Sequence, residues 1–230
     1  SGLPYSNPTN RFYNLLRLGK VVPDTFTARD ANRMPAELGV GVTDLGLQAG
    51  SDANVYGKST MRRWAACLLR RLEAHLHRAG GQPPVIVAFT GKRHFSILWE
   101  GCKPAAEIAA LPFGRQNEFP PLWPFDPHRS ELWLLRSSSG RAAMTTEERN
   151  APYECLGRRL AEVRREQVES KDGVSPGEHT VVVVGEEGKL DDAAAAGNTS
   201  AAAAAAKPTS SSDDAVRGCS TGEGQATGDD

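Results

Sequence analysis

Glu131-Leu132-Trp133-Leu134-Leu135-Arg136-Ser137-Ser138-Ser139-Gly140-Arg141 is the stretch on which the fold turns. Its apolar half has the length and composition of a buried strand, and it discharges at once into small hydroxyl residues and a glycine. Thr145 and Glu148 then stand at capping-box spacing, so a helix is expected to begin directly after the loop. A rigid strand–loop–helix corner of this kind is a good platform for binding. Three hydroxyls, a close-approach backbone and the long cation Arg141 at a sheet's carboxyl end suit a phosphate backbone. The same residues also suit an ordinary turn whose hydroxyls bond their own main chain.

Working outward, the helix after this loop carries Tyr153, Leu156, Leu160 and Val163 inward and Arg158, Arg159, Arg164 and Arg165 outward. Upstream, Val85-Ile86-Val87-Ala88-Phe89 reads as a buried parallel-type strand running into Thr90-Gly91-Lys92-Arg93-His94, with Phe95, Ile97, Leu98 and Trp99 continuing as helix. Amides at that helix start, beside Lys92 and Arg93, would attract an anion. The corner is not a nucleotide-binding P-loop, because the upstream glycine and the Ser/Thr after the lysine are missing. Ser59 to Arg78 has the strongest helical period, with Arg62, Arg63, Arg70 and Arg71 read as a solvated face. Gly39 to Asp44 has strand character, and Gly46 to Gly57 reads as a long irregular loop. Near the start, Thr9 or Asn10 is placed to cap a helix bearing Phe12, Leu15 and Leu16. Tyr5 is held by Pro4 and Pro8 as a core or lid aromatic or as a ligand platform.

Strands alternating with helices define the fold class as α/β, a three-layer α/β/α arrangement with a central mostly parallel sheet and its ligand site at the strand ends. Residues 1–168 are expected to form this domain. Residues 169–230, rich in Gly, Ser, Asp and Ala, read as a low-complexity acidic tail without a fold, although Val181 to Val184 could add a strand. Charge divides the same way. Residues 1–170 hold 23 Lys and Arg against 17 Asp and Glu, a net of +6, and residues 171–230 hold 4 against 11, a net of −7. A basic domain suits a polyanionic partner, with which an acidic tail would compete. Cys67, Cys102, Cys155 and Cys219 lie far apart with no C-x-x-C, which argues against a zinc or iron–sulfur site and for reduced, mostly buried thiols of an intracellular protein. No apolar run approaches membrane-spanning length.

Three segments together resemble one family. Gly2-Leu3-Pro4-Tyr5-Ser6-Asn7-Pro8-Thr9-Asn10-Arg11-Phe12-Tyr13 is similar to the G-x-P-[FY]-x-x-P-x-N-R-F-W segment of the mismatch-specific uracil/thymine DNA glycosylases. Ala88-Phe89-Thr90-Gly91-Lys92 resembles their strand-G-K corner, and Ser137 to Arg141 their S-S-S-x-R or N-P-S-G loop. Order and spacing agree over about residues 1–168, nearest the plant and algal branch. The resemblance implies a uracil-DNA glycosylase-like fold and a monofunctional hydrolase of the N-glycosidic bond. The substrate would be uracil, or thymine opposite guanine, in double-stranded DNA, handled by an intracellular monomer in the nucleus or, alternatively, an organelle, with no cofactor and no metal. It implies that Tyr5 stacks on the extruded pyrimidine, that Ser137, Ser138, Ser139 and Gly140 pinch the DNA backbone, that Arg141 fills the gap in the stack, and that Lys92 touches a phosphate. The family's water-positioning G-x-N-P-G motif is not in this sequence, so the catalytic residue is unassigned and the first core strand, with its edge, is expected to be missing. Asp44 is the nearby carboxylate, for which a capping or structural role is the plainer reading, and His75 and His94 read as surface or packed histidines rather than general bases. The alternatives are a non-catalytic DNA-binding relative and a small α/β phosphoester or nucleotide hydrolase using the Gly91-Lys92 corner.

Overall fold

The computed structural model of the protein describes residues 3, 5–46, 56–169 and 181–185. All of them belong to one unit, Ser1–Asp191, and a second unit, Asp192–Asp230, lies outside the described residues. In chain order the elements are α1 (Phe12–Leu18), a 3-10 turn (Ala28–Arg33), α2 (Met34–Leu38), β1 (Val40–Asp44), α3 (Lys58–Arg78), β2 (Ile86–Thr90), α4 (Lys92–Ile97), α5 (Ala105–Ala110), β3 (Gly114–Arg115), β4 (Glu131–Leu135), α6 (Thr146–Glu169) and β5 (Val181–Gly185).

The sheet has five strands in the order β1-β5-β2-β4-β3. The first four run parallel, and β3 closes the edge antiparallel to β4. Period-two alternation divides the side chains between two apolar layers. Val40, Ile86, Ala88, Trp133, Leu135, Val181 and Val183 face α1 and α6, with Leu16, Tyr153, Leu156 and Leu160 filling that side. Val87, Phe89, Leu132, Leu134, Val182 and Val184 face α3 and α4, with Met61, Leu68, Leu72 and Phe95. The fold is therefore the expected α/β class with helices on both faces of a mostly parallel sheet.

The position of β5 corrects the sequence reading. The segment taken as a possible strand standing alone in a structureless tail lies in the middle of the sheet. Val181 pairs with Val40 on one side and with Ile86 on the other. The domain boundary near residue 168 is thus too early, and the inner edges of β1 and β2 are both covered. The physical reason is that a central strand needs only apolar residues on both faces, and four consecutive valines supply them without any periodic signal.

The helix ends follow the sequence closely. The Thr145 amide donates to Glu148 Oε2 (2.9 Å) and the Glu148 amide to Thr145 Oγ1 (3.1 Å), the reciprocal capping box that starts α6. Asn10 Oδ1 accepts from the Phe12 amide (2.9 Å) at the start of α1. Helices α1 and α6 meet backbone to backbone, because a methyl group on Gly157 would collide with the Gly19 carbonyl. Two arginines of α6 read as outward-facing make structural contacts. Arg159 Nε donates to the buried carboxylate of Glu131 (2.8 Å), and Arg164 reaches the Lys20 and Val21 carbonyls (3.4 Å each). Cys102 and Cys155 are exposed and Cys67 half-buried, so these three are not the buried thiols expected, and Cys219 lies outside the described residues.

Candidate functional site at the strand ends

Four parallel strands bring their carboxyl ends together, and the residues singled out in the sequence gather around them. The chain enters at Tyr5, whose φ of 54° lies in the left-handed region that a bulky side chain rarely adopts. Contacts hold it there. The Tyr5 ring stacks on Phe12 with centroids 4.1 Å apart and planes at 19°, and only 7% of the residue is exposed. Its hydroxyl donates to the Asp44 carboxylate at the end of β1. It also lies against Gly185 at the end of β5, where a Cβ would occupy the hydroxyl's place. The absence of a side chain at Gly185 is what admits the tyrosine.

Asp44 is the most perturbed acid at these strand ends. Burial pushes its carboxyl up to about 6, against the opposing pull of the Tyr5 hydrogen bond and the Arg71 charge. Arg71 crosses from α3 to donate to the Asp44 carbonyl and, at 3.3 Å, to the Leu45 carbonyl. Read from sequence as part of a solvated face, it instead holds the end of β1, and burial lowers its pKa. Tyr13, on the same side, is pushed up to about 12 by burial and then by the negative charges of Asp30 and Asp44.

The serine loop is fastened from both sides. The Arg11 amide donates to the Ser138 carbonyl (2.9 Å), joining the loop to the segment that carries Tyr5. Gly140 lies so close to the Thr9 carbonyl that a side chain there would overlap it. On the other side, the buried Arg149 of α6 donates to the Ser139 and Ala142 carbonyls (2.8 Å each), and the Tyr153 hydroxyl to the Arg136 carbonyl (2.8 Å). Within the loop the Ser139 amide donates to Ser137 Oγ (3.2 Å) and the Arg141 amide to Ser139 Oγ (3.3 Å). Ser138 is 1% exposed, which removes its hydroxyl from a surface contact and leaves it a structural part. Gly140 and Arg141 are exposed, and Ser137 and Ser139 half-exposed.

Lys92 departs from its expected use. Its ammonium donates to the carbonyls of Ala109 (2.8 Å) and Leu111 (2.6 Å), closing the end of α5, and stands 4.8 Å from the centre of the Phe113 ring. Burial, then the neighbouring Arg136 charge, lowers its pKa. Arg136 shares that ring, its guanidinium carbon 3.9 Å from the Phe113 centroid. Beyond Lys92 a cleft of about 480 Å³ opens between α3, α4 and α5, floored by Met61, Ile97 and Ile108. His94, beside it, is 3% exposed and driven down to about 4 by burial and then by Arg93, so it is a neutral packed histidine at physiological pH.

No group of three or more His, Cys, Asp or Glu among the described residues is arranged to hold a metal ion. No helix among them is long and apolar enough to cross a membrane. The structure brings Tyr5, Asp44, Gly185 and the Ser137–Arg141 loop to one end of the sheet, and it uses Lys92 internally. Sequence reasoning missed Arg71, Arg136 and Phe113. The aromatic–basic pairing of Phe113 with Arg136 was the available signal, but the two residues are far apart in the chain and meet only through the β3–β4 hairpin. No protein-family model and no curated protein sequence matches the chain significantly.

Proposed function

We propose that this protein excises a base from DNA, hydrolysing the N-glycosidic bond of uracil, or of thymine opposite guanine, after turning the nucleotide out of the duplex. One observation carries the reading. The Tyr5 segment and the serine loop, from opposite ends of the domain's sequence, are joined by the Arg11–Ser138 hydrogen bond and the Gly140–Thr9 contact at the carboxyl end of a parallel sheet. That arrangement sets the exposed Gly140 and Arg141 at the rim of the strand ends, with the buried Tyr5 ring behind them, and a backbone grip and a long cation are parts that base extrusion requires. Water attacks C1′ as the base leaves as an anion, and main-chain amides at the strand ends are the groups suited to steady that charge. Asp44 is the carboxylate beside Tyr5, and it is mostly ionised at neutral pH.

The test is base release from a labelled duplex with a single G·U pair in EDTA. The expected result is an abasic site, formed more slowly by Arg141→Ala on duplex than on single-stranded substrate. Equal losses on both substrates would remove Arg141 as the wedge. Retained DNA binding without base release would favour the second reading, a non-catalytic DNA-binding protein. That reading has its own observation: Tyr5 stacks on Phe12 and its hydroxyl is taken by Asp44. The phosphoester hydrolase alternative is the weakest of the three, because the Lys92 ammonium is committed to two carbonyls.

A further inference from the structure

Cations ring the strand ends, and most already have acceptors in the protein. Arg71 holds the Asp44 and Leu45 carbonyls, Lys92 those of Ala109 and Leu111, Arg93 that of Tyr56 (3.2 Å), and Arg149 those of Ser139 and Ala142. Arg136 differs. Among the described residues its guanidinium forms no hydrogen bond and no ion pair, and its only partner is the Phe113 ring.

We infer that Arg136 is a phosphate clamp, held over the Phe113 ring so that its guanidinium meets a phosphodiester of the bound nucleic-acid strand. Arg136 is the first residue after β4, so it begins the serine loop. Its carbonyl is fixed by the Tyr153 hydroxyl at 2.8 Å, which sets where the side chain starts. The cation–π contact then fixes where the side chain ends, and its N–H donors, unused by any acceptor among the described residues, suit a two-pronged contact with phosphate oxygens. Little rotamer freedom remains to be lost on binding. Lys92 shares the Phe113 ring at 4.8 Å, so two like charges stand close together, and an arriving anion relieves their repulsion. The phosphate contact expected at Lys92 therefore moves to Arg136.

This inference rests on the proposed DNA-gripping role of the strand ends, and the experiment separates the two. Binding of a labelled duplex by the full chain is followed by fluorescence anisotropy over a salt series. Arg136→Gln should weaken binding and make the slope of log K against log salt shallower by about 0.9, the loss of one phosphate contact. Phe113→Leu should weaken binding while leaving the slope unchanged, because the charge remains. Arg136→Lys should do the same, and it keeps the test available if the glutamine variant does not fold. Lys92→Gln should leave the slope unchanged. A wild-type slope for Arg136→Gln, a slope lost with Lys92→Gln instead, or no duplex binding by the wild-type chain overturns the clamp. Base release is scored separately: its absence, with the Arg136 slope change present, removes the excision reading and leaves the clamp standing.

Discussion

Asp44 is the residue of this candidate site whose protonation the fold shifts upward, chiefly by burial. A carboxyl raised from 3.8 to about 6 in the folded chain binds its proton more tightly there than in the unfolded chain. Its contribution to stability is therefore complete below the unfolded value and is lost as pH rises through about 6. The size is on the order of 2 to 3 kcal/mol across that window. Asp44→Asn should consequently gain stability relative to the parent chain as pH is raised, and urea unfolding at acid and neutral pH measures the difference. A pH-independent difference would mean that the carboxyl is not held above its ordinary range. At this scale the sequence was legible in part. Tyr5 and the serine loop stand in recognisable segments, and Asp44 was visible as a strand-end acid. Lys92 and Arg136 were not separable from sequence, because what distinguishes them is spatial. The acceptors of Lys92 lie 17 and 19 residues away, and the ring that faces Arg136 belongs to Phe113, just ahead of β3.

Among the elements, β5 matters most for stability. Val181 to Val184 are all buried, and at roughly 1.5 to 3 kcal/mol for each such side chain their transfer from water is comparable with the whole stability of an ordinary domain, roughly 5 to 15 kcal/mol. A chain ending at Ser170 should therefore lose cooperative unfolding, whereas one ending at Asp191 should keep it. A cooperative melt from the shorter chain would show that β5 is dispensable. The helices α3 and α6 and the strands β2 and β4 were legible because each carries its own period or a run long enough to recognise. Strand β5 was not, since its four valines sit in polar sequence and its role comes entirely from the two strands that flank it. The β3 edge strand, two residues long, has no pattern to read.

For the whole molecule, the asymmetry of charge is the leading property. The net charge of −1 conceals a basic domain and an acidic remainder, and the segment 192–230 alone holds six Asp and Glu against two Lys and Arg. That segment should repel the polyanion proposed as the domain's partner. A chain ending at Asp191 should accordingly bind duplex DNA more tightly than the full chain at low salt, and the two should converge as the screening length shrinks to about 3 Å near 1 M salt. Equal affinities at low salt would show that the remainder has no electrostatic hold on the partner. The strand order carries a further consequence for synthesis. Because β1 and β2 are each paired to β5, the sheet's centre stays open on the ribosome until Val181 to Gly185 have emerged. During that interval β1 has no partner among the described strands and β2 is open on the side away from β4. A nascent chain stalled before residue 181 should thus recruit chaperones, and one released past 185 should close its sheet and let them go.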